Sequence, residues 1–82
     1  MTKIHGEPSV VLERVQALVR EIVPNARCEL EDQDQQIGCS AEDQFGNVHE
    51  IKLRHYDWVE EIVRHKAKVL RSLMRTGRPA TD

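Results

Sequence analysis

Apolar residues in this chain change their spacing twice, and those two changes restrict the fold more than any other feature. Val11, Val15, Leu18 and Ile22, flanked by Leu12 and Val19, recur every three or four residues, the period of one helix face. From Ala26 the period is two. Cys28 and Leu30 alternate with Arg27, Glu29 and Glu31, Ile37, Cys39 and Ala41 alternate with Gly38, Ser40 and Glu42, and His49, Ile51 and Leu53 share a face opposite Val48, Glu50, Lys52 and Arg54. That alternation is the mark of half-buried strands. Helical spacing returns with Val59, Ile62, Val63, Leu70 and Leu73.

The punctuation fits the same division. Pro8 suits a first helical turn and Pro24 forbids continuation, so the first helix is expected over 8–23. Asp32-Gln33-Asp34-Gln35 makes a polar hairpin turn. If Gly46-Asn47 were a two-residue turn, Ala41 would face the same way as Lys52 and turn Ile51 and Leu53 outward. An odd-length loop or a bulge is therefore expected around Phe45-Gly46-Asn47, with Gly46 at positive φ. Asp57 and Glu60 have the spacing of a capping box, placing a second helix over 58–75, with Gly77 and Pro79 beyond its end.

A three-stranded meander cannot bury its apolar face alone. The expected architecture is α+β, a two-layer sandwich of order α-β-β-β-α, its antiparallel meander carrying both helices on one face. Residues 1–82 form a single small domain in this reading, with an ordered core over about 8–76 and a flexible tail over 77–82.

With 39% hydrophobic residues among 82, one modest core is available. A domain of this size buries only about 60% of its unfolded surface, which favours a partner subunit. The longest apolar runs are Val10 to Leu12 and Ala17 to Val19, far short of the roughly 20 residues of a membrane span, and no secretory signal is read. The expectation is a cytoplasmic protein that does not contact membrane and keeps Cys28 and Cys39 reduced.

Charge is segregated along the chain. Residues 28–51 hold Glu29, Glu31, Asp32, Asp34, Glu42, Asp43 and Glu50 with no Lys or Arg, whereas 62–80 hold Arg64, Lys66, Lys68, Arg71, Arg75 and Arg78 with no acid. Arg64, Lys68, Arg71 and Arg75 share a helix side, and with Arg78 they are the candidate face for nucleic acid, the alternative function. The element order resembles that of the double-stranded RNA-binding domain. That family carries lysines at the start of its second helix, where this chain has Asp57, Glu60 and Glu61, so the resemblance stops at the order.

The preferred reading is a non-catalytic protein-interaction module that self-associates as a homodimer through its second helix. Trp58, Ile62, Lys66, Val69, Leu73 and Met74 are the candidate interface, since Trp58, Val69 and Met74 widen the apolar arc beyond what one short sheet covers. Lys66 interrupts that arc, either with its ammonium reaching solvent or paired with an acid of a second chain. The charged outer sheet face is offered to another protein. No phosphate loop, nucleophile elbow or spaced carboxylate pair marks an enzyme, and no cofactor is expected. Cys28, Cys39, His49 and His55 share strand parity but lack metal-ligand spacing, so they read as core residues.

Overall fold

The computed structural model describes residues 1–76, which form α1 (Pro8–Ile22), β1 (Arg27–Glu31), β2 (Gln36–Glu42), β3 (Val48–Arg54) and α2 (Glu60–Thr76). Arg78 and the 77–82 tail lie outside the described residues. The order and the antiparallel β1-β2-β3 sheet are those expected. α1 opens on Pro8, and the Glu7 carbonyl accepts from the amides of Val10 and Val11 at 2.9 Å. It closes before Pro24, with the Val23 amide donating to the Val19 carbonyl at 2.8 Å. Val11, Val15, Leu18 and Val19 are its buried face.

β1 and β2 pair with Glu31 opposite Gln36 and Cys28 opposite Cys39. The turn between them winds left-handed at Asp32, Gln33 and Asp34, with φ of 52°, 54° and 66°. In the β2–β3 ladder, Ala41 faces His49, Cys39 faces Ile51 and Ile37 faces Leu53. The connection, residues 43–47, is odd in length as side-chain parity demands, and needs no bulge. Gly46 sits at φ 84°, where a side chain would be strained.

Both helices cover one face of the sheet, α1 over β1 and α2 over β3, and they pack against each other. Ile37, Cys39 and Leu53 have no exposed surface, and neither do Val15, Leu18, Val63, Ala67 and Leu70 from the helices. Ile51 packs half-buried at the margin. Arg14 reaches Glu60 at 3.2 Å, tying α1 to the start of α2.

Two boundaries differ from expectation. Asp57 does not cap α2: the chain makes a 3-10 turn over His55–Asp57, and α2 begins at Glu60. Asp57 turns inward, where its Oδ2 accepts from the Arg54 amide at 3.2 Å and from Lys66 Nζ at 3.4 Å. The start of α2 is met instead by the N-terminal segment. The Glu60 amide donates to the Thr2 carbonyl and the Ile4 amide to the Trp58 carbonyl, both at 2.8 Å, while the Thr2 amide donates to Glu61 Oε1 at 2.6 Å. Ile4 is buried in the core, so order begins well before residue 8. A bridge this short has no period, which is why spacing alone does not find it.

Candidate functional site

α2 presents three faces about 100° apart. Val63, Ala67 and Leu70 form its fully buried stripe. On one flank lie Ile62, Lys66 and Leu73, half-buried, and Val69, 42% exposed. Their spacing of four, three and four residues is that of a helix–helix seam. On the other flank lie Arg64, Lys68, Arg71 and Arg75.

The candidate interface therefore divides. Trp58 belongs to the core: it is buried, its indole N–H donates to the Leu53 carbonyl at 3.2 Å, and the His55 ring stacks on it at 4.2 Å. Met74 leans onto the core from the basic side, lining an open recess of about 410 Å³ with Ile22, Val23, Pro24, Arg71 and Arg75. Ile62, Lys66, Val69 and Leu73 are left as one continuous stripe. Lys66 already has an acid within its own chain, Asp57, and its ammonium also donates to the Lys52 carbonyl at 3.1 Å. The two side chains thereby seal part of edge strand β3.

The basic flank is less open than its spacing implied. Arg64 lies 3.6 Å from Glu60 and Arg71 is half-buried in the recess, while Lys68 and Arg75 stand exposed. On the outer sheet face, Lys52 bonds Glu31 at 2.6 Å and approaches Glu50 at 3.6 Å. The hydrogen bond to Glu31 is the main reason Lys52 is held above the ordinary lysine range, and the same bond, with one from Gln36, holds Glu31 below the ordinary carboxylate range. Gly38 makes this cluster possible, since a Cβ there would stand 2.6 Å from Glu31 Oε1. Lys52 is thus neutralised within this face by Glu31 and Glu50.

Two pairings were missed by sequence reasoning. Asp43 and His49 form a buried pair, Oδ2 to Nε2 at 2.7 Å, and Asp43 Oδ1 also accepts the amides of Phe45 and Asn47 at 2.8 and 2.9 Å. Cys28 and Cys39 stand directly opposite each other, their Sγ atoms 2.7 Å apart. The signal was present: once Asp32–Gln35 is the turn, Glu31 pairs with Gln36, and counting three residues away from the turn along each strand reaches Cys28 and Cys39. His49 lies beyond the thiols along the sheet, and His55 leaves β3 for the 3-10 turn. Among the described residues no three His, Cys, Asp or Glu side chains converge as a ligand set for a metal, and no helix is long and apolar enough to cross a membrane. Compared with known protein families, with curated proteins and with solved structures, the chain matches none.

Proposed function

We propose that this chain is a non-catalytic protein-interaction module that pairs with a second copy of itself through the Ile62, Lys66, Val69 and Leu73 stripe of α2. The observation that carries the reading is the seam spacing of four side chains left partly uncovered by their own sheet. A second copy fits this stripe because a two-fold antiparallel pairing sets the same four side chains against each other and opposes the helix dipoles. The bases Lys68, Arg71 and Arg75 lie on the far flank of α2 and stay clear of such a seam. Lys66 does not obstruct such a seam, because Asp57 of its own chain meets its charge and only its stem joins the apolar surface.

Sedimentation equilibrium over a range of protein concentrations tests this. The wild type should rise toward twice the monomer mass as concentration increases, and Val69→Glu should remain monomeric while keeping its fold. A wild type that stays monomeric throughout, or a Val69→Glu variant that dimerises equally well, overturns it.

A further inference from the structure

The Cys28–Cys39 pair is placed for chemistry that the proposed interface does not use. The Cys28 amide donates to Oε1 of Gln16 on α1 at 3.2 Å, away from β2. The two cysteines thus form a non-hydrogen-bonded cross-strand pair, the class whose Cα atoms approach to about 4.5 Å. That separation falls inside the span of roughly 4.4 to 6.8 Å that a disulfide bridges. With the sulfurs 2.7 Å apart, closure requires less than about 1 Å of further approach.

The two thiols differ in access. Cys39 has no exposed surface, whereas Cys28 lies half-buried on edge strand β1. Cys28 opens into a recess of about 480 Å³ lined by Gln16, Arg20, Arg27, Glu29 and Ser40. Arg20 favours the Cys28 thiolate, and the Arg20 and Arg27 guanidinium groups in the same recess attract anionic reagents. Hydrogen bonding with Cys39 holds the Cys28 thiol below its ordinary value despite burial, with Arg20 adding to the effect. The same contact and burial push Cys39 up.

We propose that Cys28 and Cys39 form a thiol–disulfide exchange site that takes its oxidising equivalent from a small, carboxylate-bearing disulfide bound in the Arg20–Arg27 recess. The Cys28 thiolate attacks one sulfur of that disulfide, forming a mixed disulfide and releasing the first small thiolate. Cys39 then loses its proton and attacks Cys28 Sγ, expelling the second small thiol and leaving a Cys28–Cys39 bond. Two protein thiols are oxidised and one small disulfide is reduced to two thiols, so electrons and protons balance. The product staples β1 to β2 and is reversed by an excess of the small thiol.

Oxidised glutathione is the probe, read by intact mass and by alkylation of remaining thiols after denaturation. The wild type should become lighter by two hydrogens, release two glutathiones per chain and lose both alkylatable thiols. Cys39→Ala should stop with one glutathionyl group on Cys28. Cys28→Ser should react roughly tenfold more slowly or worse, because Cys39 is covered. Circular dichroism melts establish that each variant is folded. A wild type that keeps both thiols while the urea-unfolded chain is oxidised overturns the proposal, as does a folded Cys39→Ala that takes no glutathione. Arg27→Glu should slow the first step, and an unchanged rate overturns the assignment of an anionic disulfide.

Discussion

His49 Nε2 and Asp43 Oδ2 lie 2.7 Å apart, with the imidazole fully buried and the carboxylate almost so. The pair joins the first residue of the β2–β3 connection to a residue of β3. The carboxylate accepts, so Nε2 carries the proton and Nδ1, which has no partner, is left as a bare acceptor instead of an orphaned donor. Asp43 thereby serves the loop, through the Phe45 and Asn47 amides, and fixes the tautomer of a core histidine.

This arrangement makes stability depend on acid. Burial pushes the Asp43 carboxyl up, but the hydrogen bonds from His49, Asn47 and Phe45 outweigh it and hold it below its ordinary value of 3.8. A carboxyl lowered in the folded state stabilises the protein above its unfolded value, and that contribution disappears as pH falls through the lower, folded value. Asp43→Asn should lower the thermal midpoint near neutral pH, since its amide offers a donor where His49 presents one. The gap between wild type and variant should close as pH drops below 3.8. A gap that does not vary with pH would contradict the reading of Asp43 as an ionised acceptor for His49 and the loop amides.

The contrast between neighbouring positions on α2 is equally specific. Leu70 is fully buried in the core to which Leu18 and Leu53 also belong, whereas Val69 is 42% exposed. Leu70→Ala should cost about 2 to 5 kcal/mol in urea unfolding of the isolated chain. Val69→Ala, measured at concentrations low enough to prevent association, should stay within about 0.5 kcal/mol. Comparable losses at both positions would place the core stripe of α2 elsewhere.

Much of this fold is readable because side-chain parity is rigid. Requiring Ala41, Ile51 and Leu53 on one side predicts an odd β2–β3 loop, and the pairing of Ala41 with His49 satisfies it. Elements held by isolated contacts are less readable. Asp57 sits at a capping distance from Glu60 in sequence, yet three-dimensional proximity gives it to Arg54 and Lys66. The Lys66 reading changes with it: its ammonium neither reaches freely into solvent nor needs an acid from a second chain, because Asp57, nine residues upstream, meets it. Apolar spacing likewise selects Trp58 as a surface residue, because it cannot register that the Leu53 carbonyl and the His55 ring enclose the indole.

Lys66→Met should therefore separate folding from association. Removing the ammonium leaves the Asp57 carboxylate with only the Arg54 amide among its bonded partners on this turn, so chemical denaturation of the monomer should show a loss of about 1 to 3 kcal/mol. The methionine adds apolar surface to the α2 seam, and sedimentation should show dimerisation at lower concentration than the wild type. Weaker dimerisation in a folded Lys66→Met protein would mean that Lys66 contributes its charge across the interface.

Gly38 offers a test on the opposite sheet face. A Cβ there would stand 2.6 Å from the Glu31 carboxylate, which is a flexible end that can swing away from Lys52 and Gln36. Gly38→Ala should cost about 1 kcal/mol or less, the scale of a surface ion pair. Adding Glu31→Ala should remove most of that cost, so the double-mutant cycle should be strongly non-additive. Additive losses would show that the glycine is required for the backbone instead.

The N-terminal bridge can be followed with a probe the protein already carries. Ile4 is 7% exposed, and its amide bonds the carbonyl of Trp58, the single tryptophan of the chain. Ile4 also borders a small recess with Pro8, His55 and Trp58, so truncating its side chain opens that recess further beside the indole. Ile4→Ala should cost about 2 to 5 kcal/mol if the site does not collapse, and should shift tryptophan emission to longer wavelength under native conditions. Deleting the first five residues should produce the same red shift and also free the Glu60 amide at the start of α2. Unchanged emission in both variants would show that the Thr2 and Ile4 contacts do not hold in solution, and would return the start of the ordered chain to Pro8.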